Sequence, residues 1–359
     1  MTVSLKTYLN YGDIDILGKQ YSAMKKFIFH ILAYNPDLIW QQTRGSMYGD
    51  WLNGDNINSK DFPKGGRVSN EIFSTAFFAN STRIVAKTAK LLNKSGDSQY
   101  FDSLATAIQQ AFARRFINAD GIIEGNTQAG YALALEFNLV PGQLKTKAAA
   151  NMVEAIKAFD YRVSTGIQST IRLMNQLSSF GYTDIAFRLM ESRRLPSWLY
   201  SVDQWATTIW ERWDGYVKGR GTQGAGMNSF NHVAFGAVGE WMYKYILGIN
   251  YDEEYPGYKH FVIKPEPDGS FTWAKGSYHS FAGNIVVSWK KDGGRFMLDL
   301  EIPVNTLATV YLPVNDVGKI MEGRKPINES KEFSEINSVG NKTILKVGSG
   351  KYSFICRVN

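Results

Sequence analysis

Val233-Ala234-Phe235-Gly236-Ala237-Val238-Gly239-Glu240-Trp241-Met242-Tyr243-Lys244-Tyr245-Ile246 is apolar on nearly every side of a helical wheel, which marks a helix buried among other helices. Beyond Pro256-Gly257 the apolar residues instead recur at every second position. Ile285, Val287 and Trp289 alternate with outward residues, as do Phe296, Leu298, Leu300 and Ile302, then Ala308, Val310 and Leu312. Asp292-Gly293-Gly294, Pro313-Val314-Asn315-Asp316 and Gly348-Ser349-Gly350 punctuate these runs as turns. A helical period that gives way to a strand period near residue 250 predicts two domains, an all-helical one over 1–250 and an antiparallel β-sandwich over 251–359.

Upstream of that change the helical spacing is consistent. Leu17, Tyr21, Met24, Ile28 and Ile31 form one stripe. Phe73, Phe77, Ile84 and Leu91 form a second, and Phe101, Leu104, Ile108, Phe112 and Phe116 a third. Another helix follows Pro141-Gly142 through Ala149, Met152, Val153 and Ile156. About eight helical stretches can be read in this way. Long loops rich in Gly, Asn and Asp, such as Gly45–Asn56 and Gly219–Asn228, interrupt them, and loops of that length in a compact domain usually carry function. Strands and helices do not alternate, so there is no case for a dinucleotide-binding fold.

The chemistry concentrates just before the second loop, in Thr207-Thr208-Ile209-Trp210-Glu211-Arg212-Trp213-Asp214-Gly215. A carboxylate among flat aromatic faces suits sugar chemistry, because indole stacks on the C–H face of a pyranose and the carboxylate can bind hydroxyls or activate a water. The plainer alternative buries the tryptophans and pairs Glu211 with Arg212. Asn231 and His232 follow across the loop. Asp50 and Trp51, an acid and an indole adjacent in a loop, suggest sugar binding, against an Asp that caps a helix ahead of a buried Trp. Gln128 opens a helix where a hydroxyl could be recognised, although Asn126 and Thr127 also read as caps. Trp198, in Pro196-Ser197-Trp198, is a candidate pocket wall.

Composition excludes several other classes. The chain has 359 residues and a net charge of +7, but its basic residues come in scattered pairs such as Lys25-Lys26 and Arg114-Arg115, without the clustering of a nucleic-acid surface. The single Cys356 allows no internal disulfide and no Cys-rich metal site. It alternates with Tyr352 and Phe354 and is expected in a sheet core. No metal-ligand spacing is present and no cofactor is expected. The Gly219–Gly226 loop lacks the Gly-Lys-Ser/Thr ending of a phosphate loop. No apolar run is long enough for a membrane span or a signal peptide, and this leaves the compartment open.

Ala206–Gly215 together with Ser229–Trp241 resembles the bacterial α-L-rhamnosidases of glycoside hydrolase family 78. Tyr11-Gly12-Asp13, Gly49-Asp50-Trp51, Thr127–Leu135 and Pro256–Phe261 fall in the same order, so the resemblance runs from Tyr8 to Pro313. It implies an (α/α)6 toroid of six helical hairpins followed by a β-sandwich, and a rhamnose-containing glycoside or polysaccharide as substrate. It also implies inverting hydrolysis by two carboxyl groups roughly 6.5–9.5 Å apart. On that resemblance Glu211 is the general base and His232 contacts the sugar, while Asp50, Trp51, Trp198, Trp210, Gln128 and Asn231 shape or bind within the pocket.

Two departures are local. Trp205 stands where the family commonly has Gly, and Thr165-Gly166-Ile167-Gln168-Ser169-Thr170 replaces a more glycine-rich segment. A third is larger: the acidic Arg-Asp-Glu motif that holds the family's general acid has no counterpart here. The chain is therefore expected to be the C-terminal part of a longer enzyme and to turn over poorly alone. A carbohydrate-binding protein that has lost catalysis, or another inverting hydrolase on the same toroid, are the alternative readings.

Overall fold

The computed structural model describes residues 1–41, 47–330 and 333–358. Gly45 and Ser46 of the first long loop therefore lie outside the described residues. The helices are α1 (Thr2–Tyr11), α2 (Asp15–Tyr34), α3 (Asn70–Leu91), α4 (Ser95–Phe116), α5 (Gln128–Glu136), α6 (Lys145–Lys157), α7 (Thr170–Ser179), α8 (Thr183–Met190), α9 (Trp198–Asp203) and α10 (Val238–Trp241). The chain divides into two compact units, one of Met1 and Gln20–Gly239, the other of Thr2–Lys19 and Glu240–Asn359.

In the first unit the stripes read from sequence are largely the buried faces. Tyr21, Met24, Ile28 and Ile31 of α2 are at most 6% exposed, each contributing roughly 1.5–3 kcal/mol relative to an exposed position. Helix α3 packs against α4, α5 against α6 and α7, and α7 against α8, which is the pairing of helical hairpins. Ser69 caps α3 through Ile72 N, and Thr127 caps α5 through Gly130 N. Phe73 and Phe77 are only half-buried. They line a cavity of about 430 Å3 with Phe27, Tyr34, Trp40 and Tyr48. A short ribbon, β1 (Tyr216–Val217) with β2 (Gly221–Thr222), folds the glycine-rich loop back on itself.

In the second unit lie β3 (Ile249–Tyr251), β4 (His260–Ile263), β5 (Trp273–Ser280), β6 (Gly283–Asp292), β7 (Arg295–Ile302), β8 (Leu307–Leu312), β9 (Ile320–Glu322), β10 (Lys325–Pro326), β11 (Ser334–Val339), β12 (Lys342–Val347) and β13 (Gly350–Arg357). One sheet has the order β10-β9-β13-β7-β6-β5 and the other β11-β12-β8-β4-β3. The alternating residues read from sequence form the core: Ile285, Val287, Trp289, Phe296, Leu298, Ala308 and Val310 are all buried. Pairing is antiparallel except between β4 and β8, which run parallel. Cys356 is fully buried in β13, and burial pushes its thiol up to about 12. Helix α1 counts with this unit: Leu9 O accepts from Gly257 N and Asn10 Oδ1 from the Tyr278 hydroxyl.

The continuous helix expected over Val233–Ile246 is broken into three. A 3-10 turn covers Ala234–Ala237, α10 follows, and a π-helical turn covers Met242–Leu247 before Gly248 ends it at φ 84°. The span is as expected but the all-round burial is not, since Val233 is 85% and Tyr243 41% exposed, and Gly236 and Gly239 weaken helix propagation. The Trp289 indole donates to Ile246 O, a carbonyl at the end of this segment.

Candidate active site

The conspicuous carboxylates of the first unit divide into those that build loops and one that does not. Asp50 is fully buried, and its oxygens accept the backbone N–H groups of Gly166, Gln168 and Ser169 at 2.7–3.1 Å. Burial raises its carboxyl above the usual aspartate range, against the opposing pull of those amides. Asp50 therefore anchors the turn into α7 and fixes the loop that carries Trp51 from within. Asp55 similarly accepts from Gly65, Gly66 and Arg67. Asp214, 1% exposed, accepts Arg212 Nε at 2.6 Å, Asn58 N at 3.1 Å and Gln223 Nε2 at 2.9 Å.

Glu211 differs. It is 8% exposed, and its Oε2 accepts one backbone N–H, from Ser229 at 2.8 Å. Arg212, the partner that a purely structural reading assigns to Glu211, is turned to Asp214 and to Asn56 O. No ion pair takes Glu211 among the described residues. Its neighbours Trp210 and Arg212 line a cleft of about 230 Å3 with Trp198, Ile209, Trp213 and Phe235, a cleft whose lining does not include Glu211 or His232.

Backbone bonds bring the sequence-selected segments together. Glu211 N donates to Ser229 O, and His232 N donates to Ile209 O, both at 2.8 Å. Glu211 and His232 thus stand on neighbouring rungs of one pairing between 209–211 and 229–232. The loop at Asp50 and Trp51 joins through Ile167 N→Trp51 O and Gly54 N→Ser164 O, each 2.9 Å. Gly166 permits that approach, since a Cβ there would lie 2.2 Å from Trp51 O. The Trp213 indole donates to Thr165 O at 3.2 Å, tying the Glu211 segment to the same loop.

The remaining candidates fall into two sets. Trp51 is half-buried and meets Tyr48 edge-on at 5.6 Å, while Asn231 is exposed and His232 half-buried. These are accessible. His232 Nδ1 accepts from Ala234 N at 3.3 Å. Gln128, by contrast, is wholly buried: its Nε2 donates to Arg162 O and its Oε1 accepts from Ser164 N, both at 2.9 Å. It holds the 162–169 loop from within. The Trp198 indole donates to Phe235 O and meets Trp213 edge-on at 5.2 Å, and Trp210 is 6% exposed with its ring against Phe230. They wall the site. Sequence reading had given Asp214 no role, although its place in Trp-Glu-Arg-Trp-Asp was the available signal. Among the described residues no group of three or more His, Cys, Asp or Glu converges to hold a metal ion.

Residues 1–246 match the model of the bacterial alpha-L-rhamnosidase 6 hairpin glycosidase domain, and 248–326 that of the bacterial alpha-L-rhamnosidase C-terminal domain. The chain belongs to the bacterial α-L-rhamnosidase family. It is similar to the alpha-L-rhamnosidase of Streptomyces avermitilis, solved in complex with L-rhamnose, with 34% identity and a TM-score of 0.88 over 99% of this chain and 32% of that one. An alpha-L-rhamnosidase structure from Dictyoglumus thermophilum gives 30% identity and a TM-score of 0.86, covering 99% of this chain and 38% of that one. The Formosa agariphila alpha-L-rhamnosidase is 33% identical over 97% of this chain and 37% of its own length. The chain thus spans about a third of the rhamnosidases it matches. Among the described residues no helix is long and apolar enough to cross a membrane.

Proposed function

We propose that these residues supply the general-base half of an inverting α-L-rhamnoside hydrolysis. The observation that carries it is the state of Glu211: shielded, fixed by the Ser229 amide, and relieved of Arg212 by Asp214. The Glu211 carboxylate takes a proton from a water on the face of the sugar opposite the leaving oxygen. The oxygen of that water bonds to the anomeric carbon as the bond to the leaving group breaks. A separate carboxylic acid protonates the departing oxygen, and the sugar leaves with inverted configuration. His232 and Asn231 bind ring hydroxyls, and Trp51 and Trp210 offer apolar faces. The substrate is a terminal rhamnosyl unit, in keeping with the names of the relatives.

Asp50, Asp55 and Asp214 are all held by other groups, and Glu124 pairs with Arg115 at 2.9 Å. None of these four stands free, and the proton donor of this reading is the acidic Arg-Asp-Glu motif that the family resemblance implies. The same observation favours a second reading, a sugar-binding domain without turnover. Glu211→Gln decides between them. In a polypeptide joining these residues to the rest of the barrel, general-base removal should cost about 10²–10⁴-fold in kcat while rhamnose still binds. A binding domain would show no turnover to lose.

A further inference from the structure

The cleft of about 230 Å3 beside the Glu211 segment is lined by neither Glu211 nor His232, so it stands apart from the carboxylate and the imidazole proposed to meet the sugar. Its floor is aromatic. Trp198, Trp210, Trp213 and Phe235 are each at most 7% exposed, with Trp213 tilted against Phe235 at 3.9 Å and edge-on to Trp198 at 5.2 Å. Val202 and Ile209, 56% and 38% exposed, are the outer part of the lining. An apolar cavity of about 150 Å3 is enough to hold a benzene ring. This cleft therefore has room for one ring and a small substituent, and not for a chain of sugars.

The polar groups of the lining are few, and two are already committed. Thr208 Oγ1 donates to Phe230 O, and Arg212 Nε donates to Asp214 Oδ1 at 2.6 Å. The Ser201 and Thr207 hydroxyls and the Trp210 indole N–H make no hydrogen bond among the described residues. Arg212 is the one charge in the lining and Asp214 matches it, so the walls ask for a neutral ligand. A pyranose would bury more hydroxyls than the open groups can meet, and a buried hydroxyl left without a partner costs more than a made bond returns. A phenol brings a single hydroxyl and a flat apolar ring that packs on indole.

We propose that this cleft binds a neutral phenol, its ring against Trp198, Trp213 and Phe235 and its hydroxyl on the open groups of Ser201, Thr207 and Trp210. The binding does not depend on the role proposed for Glu211.

Equilibrium dialysis of the chain against p-cresol tests this, with the depletion of free ligand read by absorbance. One p-cresol should bind per chain with a Kd on the order of 0.1–1 mM. The same ring carrying a carboxylate, 4-methylbenzoate, should bind at least about tenfold more weakly. Val202→Trp, which sets an indole across the exposed side of the cleft, should abolish binding, and Ser201→Ala combined with Thr207→Val should weaken it about three- to tenfold. His30→Trp, which crowds the separate cavity of about 430 Å3, should leave it unchanged, and methyl α-L-rhamnoside should not displace p-cresol. Val202, Thr207 and His30 are exposed, so their replacement does not threaten folding. Absence of binding, equal binding of 4-methylbenzoate, or binding undiminished by Val202→Trp overturns the proposal. So does binding lost in His30→Trp, or displacement by the rhamnoside.

Discussion

Glu211 and Ser229 exchange two hydrogen bonds, amide to carbonyl and amide to carboxylate, each 2.8 Å long. The first fixes the backbone of Glu211 and the second fixes its side chain, so one short segment across the glycine-rich loop sets both position and direction. The arrangement leaves Oε1 without a hydrogen bond among the described residues. A general base needs this: one oxygen held so that it does not swing, the other open to a water.

Asp50 acts at one remove from the site. Asp50→Asn keeps the volume but turns an NH2 group toward amides that need an acceptor. It should cost about 2–3 kcal/mol, read as a lower urea midpoint with an unchanged m value. Because Ile167 in that turn donates to Trp51 O and the adjoining Thr165 O accepts from the Trp213 indole, the tryptophan fluorescence of the folded variant should shift as well. A variant as stable as the parent would show that the three amides are satisfied without it.

Trp205 sits at φ 67°, the left-handed region, and is 92% exposed. A bulky L-residue there carries strain of about 1–2 kcal/mol with no packing to offset it. Trp205→Gly should therefore stabilise the chain, by about 0.5–1 kcal/mol once the greater freedom of glycine in the unfolded chain is subtracted. Chemical denaturation measures this directly, and a loss of stability would mean that the indole packs in solution.

Asp97, in the first turn of α4, accepts Lys25 Nζ at 2.7 Å and the Tyr21 hydroxyl at 2.6 Å from α2. Those two bonds hold its carboxyl below the usual aspartate range. A carboxylate depressed in the folded state stabilises above its unfolded pKa of about 3.9 and loses that contribution as pH falls through the lower folded value. Asp97→Asn should be less stable than the parent by up to about 1 kcal/mol at pH 7. The gap should close as the pH is taken well below 4. A gap independent of pH would assign the effect to packing.

The legible part of this fold was whatever depends on local period. Leu17, Tyr21, Met24, Ile28 and Ile31 declared one buried stripe, and Phe296, Leu298, Leu300 and Ile302 one sheet face, because neighbours a turn or a pleat apart share an environment. Partners distant in the chain left no such mark. Asp50 reaches across to Gly166, Gln128 to Arg162, and α1 to Gly257, and nothing near those residues in sequence announces it. Around the proposed site, the flanking indoles single out Glu211 as a candidate. That Arg212 turns to Asp214 was not, since both carboxylates lie within two residues of it and only the folded backbone chooses. The parallel pairing of β4 with β8 escaped for the same reason, as alternation carries no strand direction.

The assignment of Glu211 is tested most directly by chemical rescue. In a polypeptide that joins these residues to the rest of the barrel, Glu211→Ala should lose about 10²–10⁴ in turnover of an aryl α-L-rhamnoside. Azide, a nucleophile that needs no base, should restore much of it and yield the β-configured rhamnosyl azide. Failure of azide to restore turnover in a folded variant that still binds rhamnose, or a rescued product of retained α configuration, would contradict the account.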